Sequence, residues 1–383
     1  MPLRCLFIVQ GEGRGHLTQA LALRALLARA GHTVPGVIVG ENAQRTLPTF
    51  FETNIGAPVH RVPSPSFVAD DGRRGVRPVA TLWNGVRHLA RLSDRLDAIE
   101  GLVQQYRPDV VINFFEPLAG LYYGLRRPRP PMVSIAHQYV FLHPAYPFPP
   151  GWPLSRPAAR GFARLTAWGA TRRLALSLYP LANQPAQRLT VCPPLLRPAV
   201  SELVPRTEPF LLMYLLNRGY VNDVVRWHKR HPGVTLHCFV DRPGAPPVER
   251  YDDTLTIHAL DDQKFLSLMA RCQGVVCTAG FESVAEAAYL GKPVQVVPVD
   301  RHFEQHCNAH DVEHAGVGRW TSGFDLDPIL RMTTRDHSPA DALRRWVSAG
   351  RRRFVQAIEE TAARSTSTSS GPPVPSFEVA AAD

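Results

Sequence analysis

A chain of 383 residues is longer than one hydrophobic core usually supports, so two domains are expected. A hydrophobic content of 45% excludes a disordered or fibrous class, and no apolar run reaches the roughly 18 residues a membrane helix needs. The net charge of +10 favours anionic ligands or surfaces, but the arginines do not alternate with aromatics in any recognisable RNA or DNA module, which disfavours nucleic acid.

The six cysteines, Cys5, Cys192, Cys238, Cys272, Cys277 and Cys307, have no metal-ligand spacing, and Met1 to Val9 runs into a strand rather than a signal peptide. Reduced thiols in a cytoplasmic protein are the expectation. Leu3 to Val9 is an apolar strand, followed by Gln10-Gly11-Glu12-Gly13-Arg14-Gly15-His16 and a helix over Leu17 to Ala30 that stops at Gly31. The glycines allow backbone to approach a ligand, but G-x-G-x-G is one residue short of the dinucleotide fingerprint. His16 is the first candidate general base, its ordinary pKa lying near neutrality, with a cap or phosphate ligand as the competing role.

Thr33 to Gly40 is the second strand, and Glu41 at its end is the best argument for a nicotinamide dehydrogenase, where an acid at this place holds ribose. Val59 to Pro78 is expected to be a loop. Thr81 to Tyr106 is expected to be a core-facing helix, with Leu82, Val86, Leu89, Leu92, Leu96, Ile99 and Val103 at three- and four-residue steps. Val110 to Phe115 and Val133 to Ala136 are buried strands whose tips carry Glu116 and His137. Open α/β sheets place ligands at such tips. His137 is therefore the second base candidate, and Glu116 either orients a histidine or caps the following helix.

Tyr139 to Pro157, rich in proline and aromatics, is expected to be irregular. Arg156, Arg160 and Arg164 share one helix face, either as a solvated surface or as a contact for an anionic membrane or lipid-linked acceptor. Leu174 to Tyr179 reads as the last strand of the first domain, and the proline-rich stretch ending at Pro209 as a linker.

The second half alternates strand and helix: Phe210 to Leu216, Val221 to His231, Val234 to Val240, Leu255 to His258, then Lys264 to Arg271 capped by Asp261-Asp262-Gln263. Gly274 to Cys277 is a strand that turns at Thr278-Ala279-Gly280 into a helix over Glu282 to Leu290, which Gly291-Lys292-Pro293 ends before a strand over Val294 to Val299. The first-turn amides of that helix suit a phosphate, and Glu286, one turn further in, suits ribose hydroxyls. Asn308 to Ala315, Asp325 to Leu330 and Pro339 to Ala363 read as helices, and the Ser/Thr-rich stretch from Arg364 as disordered.

Turn, helix acid, Gly-Lys-Pro stop and Glu304-Gln305 pair, in that order within 35 residues, resemble the donor motif of nucleotide-sugar glycosyltransferases with the α/β GT-B fold, two Rossmann-like doubly wound domains facing a cleft. MurG-like transferases of family 28 and a related archaeal and bacterial group are similar in pattern. The resemblance implies donor contacts at Asn217, Arg218 and Gly219, at Ala279, Gly280, Phe281 and Glu282, at Glu286 for ribose, and at Phe303, Glu304 and Gln305 for the sugar. It also implies that the loop of Gly11, Gly13, Arg14 and Gly15 faces the cleft beside His16. Relatives of this kind often carry an aspartate where Asn113 stands ahead of Phe115-Glu116-Pro117, which leaves Glu116 as the acid.

The expected organisation is an acceptor domain over 1–190, a linker over 191–209, a donor domain over 210–337, a returning helix over 338–363 and a tail over 364–383. The implied activity is metal-independent sugar transfer from a UDP-sugar to an acceptor hydroxyl, with no cofactor beyond that co-substrate and with peripheral contact at the inner membrane face. A nucleotide-sugar 2-epimerase and a non-catalytic nucleotide-sugar-binding protein are the alternatives.

Overall fold

A computed structural model describes residues 1–41, 47–64, 91–215, 218–241, 244, 246–332 and 338–367. The first half runs β1 (Cys5–Gln10), α1 (Arg14–Arg29), β2 (Val37–Glu41), α2 (Thr49–Ile55), β3 (Val59–Pro63), α3 (Leu92–Tyr106), β4 (Val110–Phe114), α4 (Pro117–Arg126), β5 (Met132–Ala136), α5 (Ser155–Thr166), β6 (Arg172–Leu176) and β7 (Leu189–Cys192). The second runs β8 (Phe210–Leu215), α6 (Val221–His228), β9 (Thr235–Val240), β10 (Val248–Arg250), β11 (Leu255–His258), α7 (Asp262–Arg271), β12 (Gly274–Cys277), α8 (Phe281–Tyr289), β13 (Val294–Val296), α9 (Phe303–His314), β14 (Gly318–Trp320), α10 (Asp327–Leu330) and α11 (Ser338–Ser367).

Among the described residues these strands form two seven-stranded sheets, ordered β3-β2-β1-β4-β5-β6-β7 and β10-β11-β9-β8-β12-β13-β14. Every pairing is parallel except β10 with β11. Parallel sheets are covered on both faces, which is why β4 and β5 are buried throughout and read as continuous apolar runs. The strand order reverses between β1 and β4 in the first sheet and between β8 and β12 in the second. Connections leave such a point in opposite directions and open a crevice at the strand C-terminal ends.

Several sequence expectations are corrected. Val59 to Pro63 is the edge strand β3, because it extends the parallel ladder beside β2, and the loop assigned there falls largely outside the described residues. The helix expected from Thr81 is described only over Leu92–Tyr106. Leu174 to Tyr179 is not the last strand of its sheet, since β7 pairs with β6 beyond it. The aromatic stretch after β5 begins as a buried 3-10 helix, His137–Leu142. β10 and β14, three residues each, are too short for alternation to reveal them. The last helix extends through Ser367, past the expected start of the tail, and the remainder of that tail lies outside the described residues.

α11 packs on the first sheet although it follows the second in sequence. Phe354 and Ile358 are fully buried, the Trp346 indole N–H donates to the Ser177 carbonyl at 3.0 Å, and Glu360 pairs with Arg172 at 2.9 Å. This helix ties the C-terminal segment to the N-terminal core. Phe354→Ala is expected to cost about 3 to 5 kcal/mol in urea unfolding, whereas Arg352→Ala on the exposed side should stay within about 0.5 kcal/mol.

Candidate active site

The N-termini of α1 and α8 meet in the crevice between the sheets. Their cap residues are Gly13 and Gly280, neither of which has a side chain to cap the helix, so the first-turn amides are available to an anion. Gly15 lies so close to the Glu282 side chain that a Cβ there would stand 2.5 Å from a carboxylate oxygen. Gly11 sits on the Gly40 carbonyl, to which its N–H donates at 3.0 Å, and leaves no room for a side chain either. The sequence therefore needs glycine in this loop for close approach.

Arg14 begins α1, pairs with Asp262 at 3.3 Å across the cleft and places its guanidinium 5.1 Å over the Phe50 ring. A cavity of about 160 Å³ lies between these groups, lined by Arg14, Gly15, Arg197, Thr278, Gly280 and Glu286 among others. Glu286 is buried and held by Arg197 in a two-point contact, Nε to Oε1 at 2.7 Å and Nη2 to Oε2 at 2.5 Å. Arg197 belongs to the segment joining the two sheets, and its Nη1 lies 3.9 Å from Asp262. Ligand sites usually span roughly 300 to 1,000 Å³, so a ligand must part some of these bridging pairs to be admitted.

Glu282 occupies the first turn of α8 and accepts a hydrogen bond from Gln19 of α1. Burial pushes its carboxyl up to about 7, against the lowering effect of the Gln19 contact. His16 is buried beside it in α1, with Nδ1 3.4 Å from Gln19 Oε1 and its ring stacked on Phe115 at 5.5 Å. Phe115 follows β4 at φ +60°, a left-handed conformation uncommon outside glycine, and this turns its ring under the imidazole. Burial lowers the His16 pKa to about 4, so the imidazole is neutral throughout the neutral range.

His137 is placed differently. Its Nδ1 donates to the Leu176 carbonyl at 2.9 Å, Nε2 faces Asp311 at 3.5 Å, and the ring stacks on Phe281 of α8 at 3.9 Å. It packs the two halves together rather than facing open space. Glu116 caps α4 by accepting from the Leu118 N–H at 3.0 Å, and it accepts from Ser64 Oγ at 2.5 Å. Among the described residues no hydrogen bond joins it to either histidine. Burial pushes its carboxyl up to about 7.

Of the other expected donor contacts, the Ala279 carbonyl accepts from Asn308 at 2.8 Å, and Gln305 lines the cavity while accepting from the Val299 N–H at 2.9 Å. Glu304 accepts from Gln138 of the first half at 3.0 Å. Phe303 packs into the aromatic group of Phe141, Phe148 and Trp152. Phe303, Glu304 and Gln305 form the first turn of α9, which begins ahead of the helix start expected at Asn308. Gly219 is exposed in a 3-10 turn after β8; Asn217 lies outside the described residues, as does the Arg218 side chain.

Sequence reading missed Arg197, Gln19 and Asp311, and gave Asp262 only a capping role. Each bridges segments far apart in the chain, and no motif marks such a contact. Asp311 of α9 is buried among first-half residues, accepting from Tyr146 and Tyr179 hydroxyls at 2.8 Å each. Burial pushes its carboxyl up to about 7, above the ordinary value near 3.9, so its contribution to stability is fully present below about pH 4 and is lost as pH rises through about 7. The neighbouring His137, lowered to about 4 by burial, acts oppositely, losing its contribution as pH falls from about 6.5 to 4. Asp311→Asn is therefore expected to gain stability relative to the wild type between pH 4.5 and 7, read as the difference in thermal midpoint.

The family model described as glycosyl transferase family 1 matches residues 3–333. No curated protein matches the sequence. Similar solved structures include the kitacinnamycin glycotransferase, at TM-score 0.63 and 18% identity over 94% of this chain and 99% of that one. UGT2 of Phytolacca americana, complexed with UDP-2fluoro-glucose and pterostilbene, superposes at 0.62 and 18% identity over 96% and 99%. The spinosyn rhamnosyltransferase SpnG complexed with thymidine diphosphate superposes at 0.59 and 17% identity over 93% and 100%. The match is to family 1, which does not support the family 28 placement that the motif suggested. The chain belongs to glycosyl transferase family 1 and is a glycosyltransferase of the GT-B fold.

Proposed function

We propose that the enzyme transfers a sugar from a nucleoside diphosphate sugar, a UDP-sugar first among them, to an acceptor hydroxyl without a metal ion. The observation that carries this reading is the meeting of two uncapped helix N-termini, Arg14, Arg197 and Glu286 around one cavity between the sheets. The α8 amides receive the diphosphate, and Glu286 receives the ribose hydroxyls. Arg197 turns from Glu286 toward the phosphates. Helix dipole and guanidinium together stabilise the charge that develops on the leaving diphosphate, which is the task a divalent cation performs elsewhere. The SpnG and UGT2 complexes, with thymidine diphosphate and a UDP-sugar, support a pyrimidine nucleotide.

His16, next in α1 to the cavity-lining Gly15, takes the acceptor proton as the new C–O bond forms. Its nitrogen Nε2 has no hydrogen-bond partner among the described residues, and burial keeps the ring in the proton-accepting form. Nucleoside diphosphate release that depends on both donor and acceptor, and that persists in EDTA, is expected. His16→Ala should lower kcat by about 10² to 10⁴ while donor affinity is retained. Removing both ribose hydroxyls from the donor should weaken binding about tenfold or more in the wild type and little in Glu286→Gln. Equal losses in the two proteins would remove Glu286 from the ribose site.

A further inference from the structure

His16 is linked to the second half of the molecule by one residue that no motif marks. Gln19 lies one helical turn along α1 from His16 and is 2% exposed. Its amide has an accepting and a donating end. The Nε2 end donates to Glu282 of α8, and the Oε1 end, left facing His16, stands 3.4 Å from Nδ1. An amide oxygen only accepts, so the imidazole nitrogen opposite it must carry the proton. Among the described residues this is the only side-chain hydrogen bond of His16.

We propose that Gln19 is a positioning residue that fixes His16 in the Nδ1–H tautomer, through a hydrogen-bond chain anchored on Glu282 across the cleft. The inference rests on the reading of His16 as the base. Its consequence is that Nε2 carries the lone pair, aimed away from the chain and free to accept a proton. Transfer then balances simply: the acceptor O–H bond breaks, its proton goes to Nε2, and the oxygen lone pair forms the bond to the anomeric carbon as the diphosphate departs. The chain depends on the contact of α1 with α8, so it couples the orientation of the base to the second half of the molecule.

The direct test is the ring ¹⁵N spectrum of the full chain labelled at histidine, with the His16 signals assigned by their loss in His16→Asn. At pH 7 the wild type should show Nδ1 protonated and Nε2 bare. In Gln19→Leu, and in Glu282→Leu where the anchor is lost, the signals should move toward the Nε2–H form that unconstrained imidazole favours. At saturating donor, Gln19→Leu should lower kcat about a hundredfold with little change in donor affinity. Pairing Gln19→Glu with Glu282→Gln, which reverses the two ends of the contact, should restore the Nδ1–H signature that Gln19→Glu alone perturbs through repulsion.

A wild-type His16 in the Nε2–H form would overturn the proposal, as would a tautomer unchanged in Gln19→Leu. A changed tautomer with unchanged kcat would overturn its catalytic half. If the spectra behave as expected and no donor is turned over, the failure lies in the reading of His16 as the base and not in the role of Gln19.

Discussion

Parallel strands place every helix that follows them with its N-terminus at the same edge of the sheet. Two parallel sheets facing one another by that edge bring positive helix ends together, and this constraint shapes the rest of the molecule. α1 and α8 meet in this way. At their junction Gly15 leaves the space that the Glu282 side chain of α8 occupies, and Asp262 from α7 adds a second carboxylate. An anionic ligand therefore competes with internal acids for the same positive ends. The raised pKa of Glu282 reduces that competition, because a protonated carboxyl carries no charge against a diphosphate.

The halves are held by buried polar joints as well as by apolar packing that runs through both. Asp311 with Tyr146 and Tyr179, Glu304 with Gln138, and Arg197 with Glu286 all pair groups that are costly to leave alone. Such joints hold one geometry and break as units. His137, stacked on Phe281 beside Asp311, belongs to this set, so the first and second base candidates of the sequence have separate structural settings. His137 Nε2 also lacks a hydrogen-bond partner but is enclosed against Asp311 and Phe281, whereas His16 Nε2 has no such group set against it among the described residues.

What the sequence made legible was local. The turn at Thr278-Ala279-Gly280, the helix acid Glu286 and the Gly-Lys-Pro stop lie within one strand-helix-strand unit, and the structure forms that unit with β12, α8 and β13 in parallel register. The alternation of apolar runs likewise exposed most strands of both sheets. Contacts between distant segments left no such trace. Arg197 sits in a proline-rich stretch that reads as a spacer, yet it fills the two-point site on Glu286. Gln19 looks like an ordinary helix residue until α8 is placed beside it. Phe115 cannot be read as left-handed from an apolar run, and the turn it makes is what sets its ring against His16.

A nucleoside diphosphate bound at the N-terminus of α8 should displace Arg197 from Glu286. Amide hydrogen exchange of the full chain, with and without uridine diphosphate, tests it most directly. Slower exchange is expected over the first turns of α8 and α1, together with altered exchange around Arg197. Unchanged exchange at saturating nucleotide, or protection confined to other elements, would contradict it.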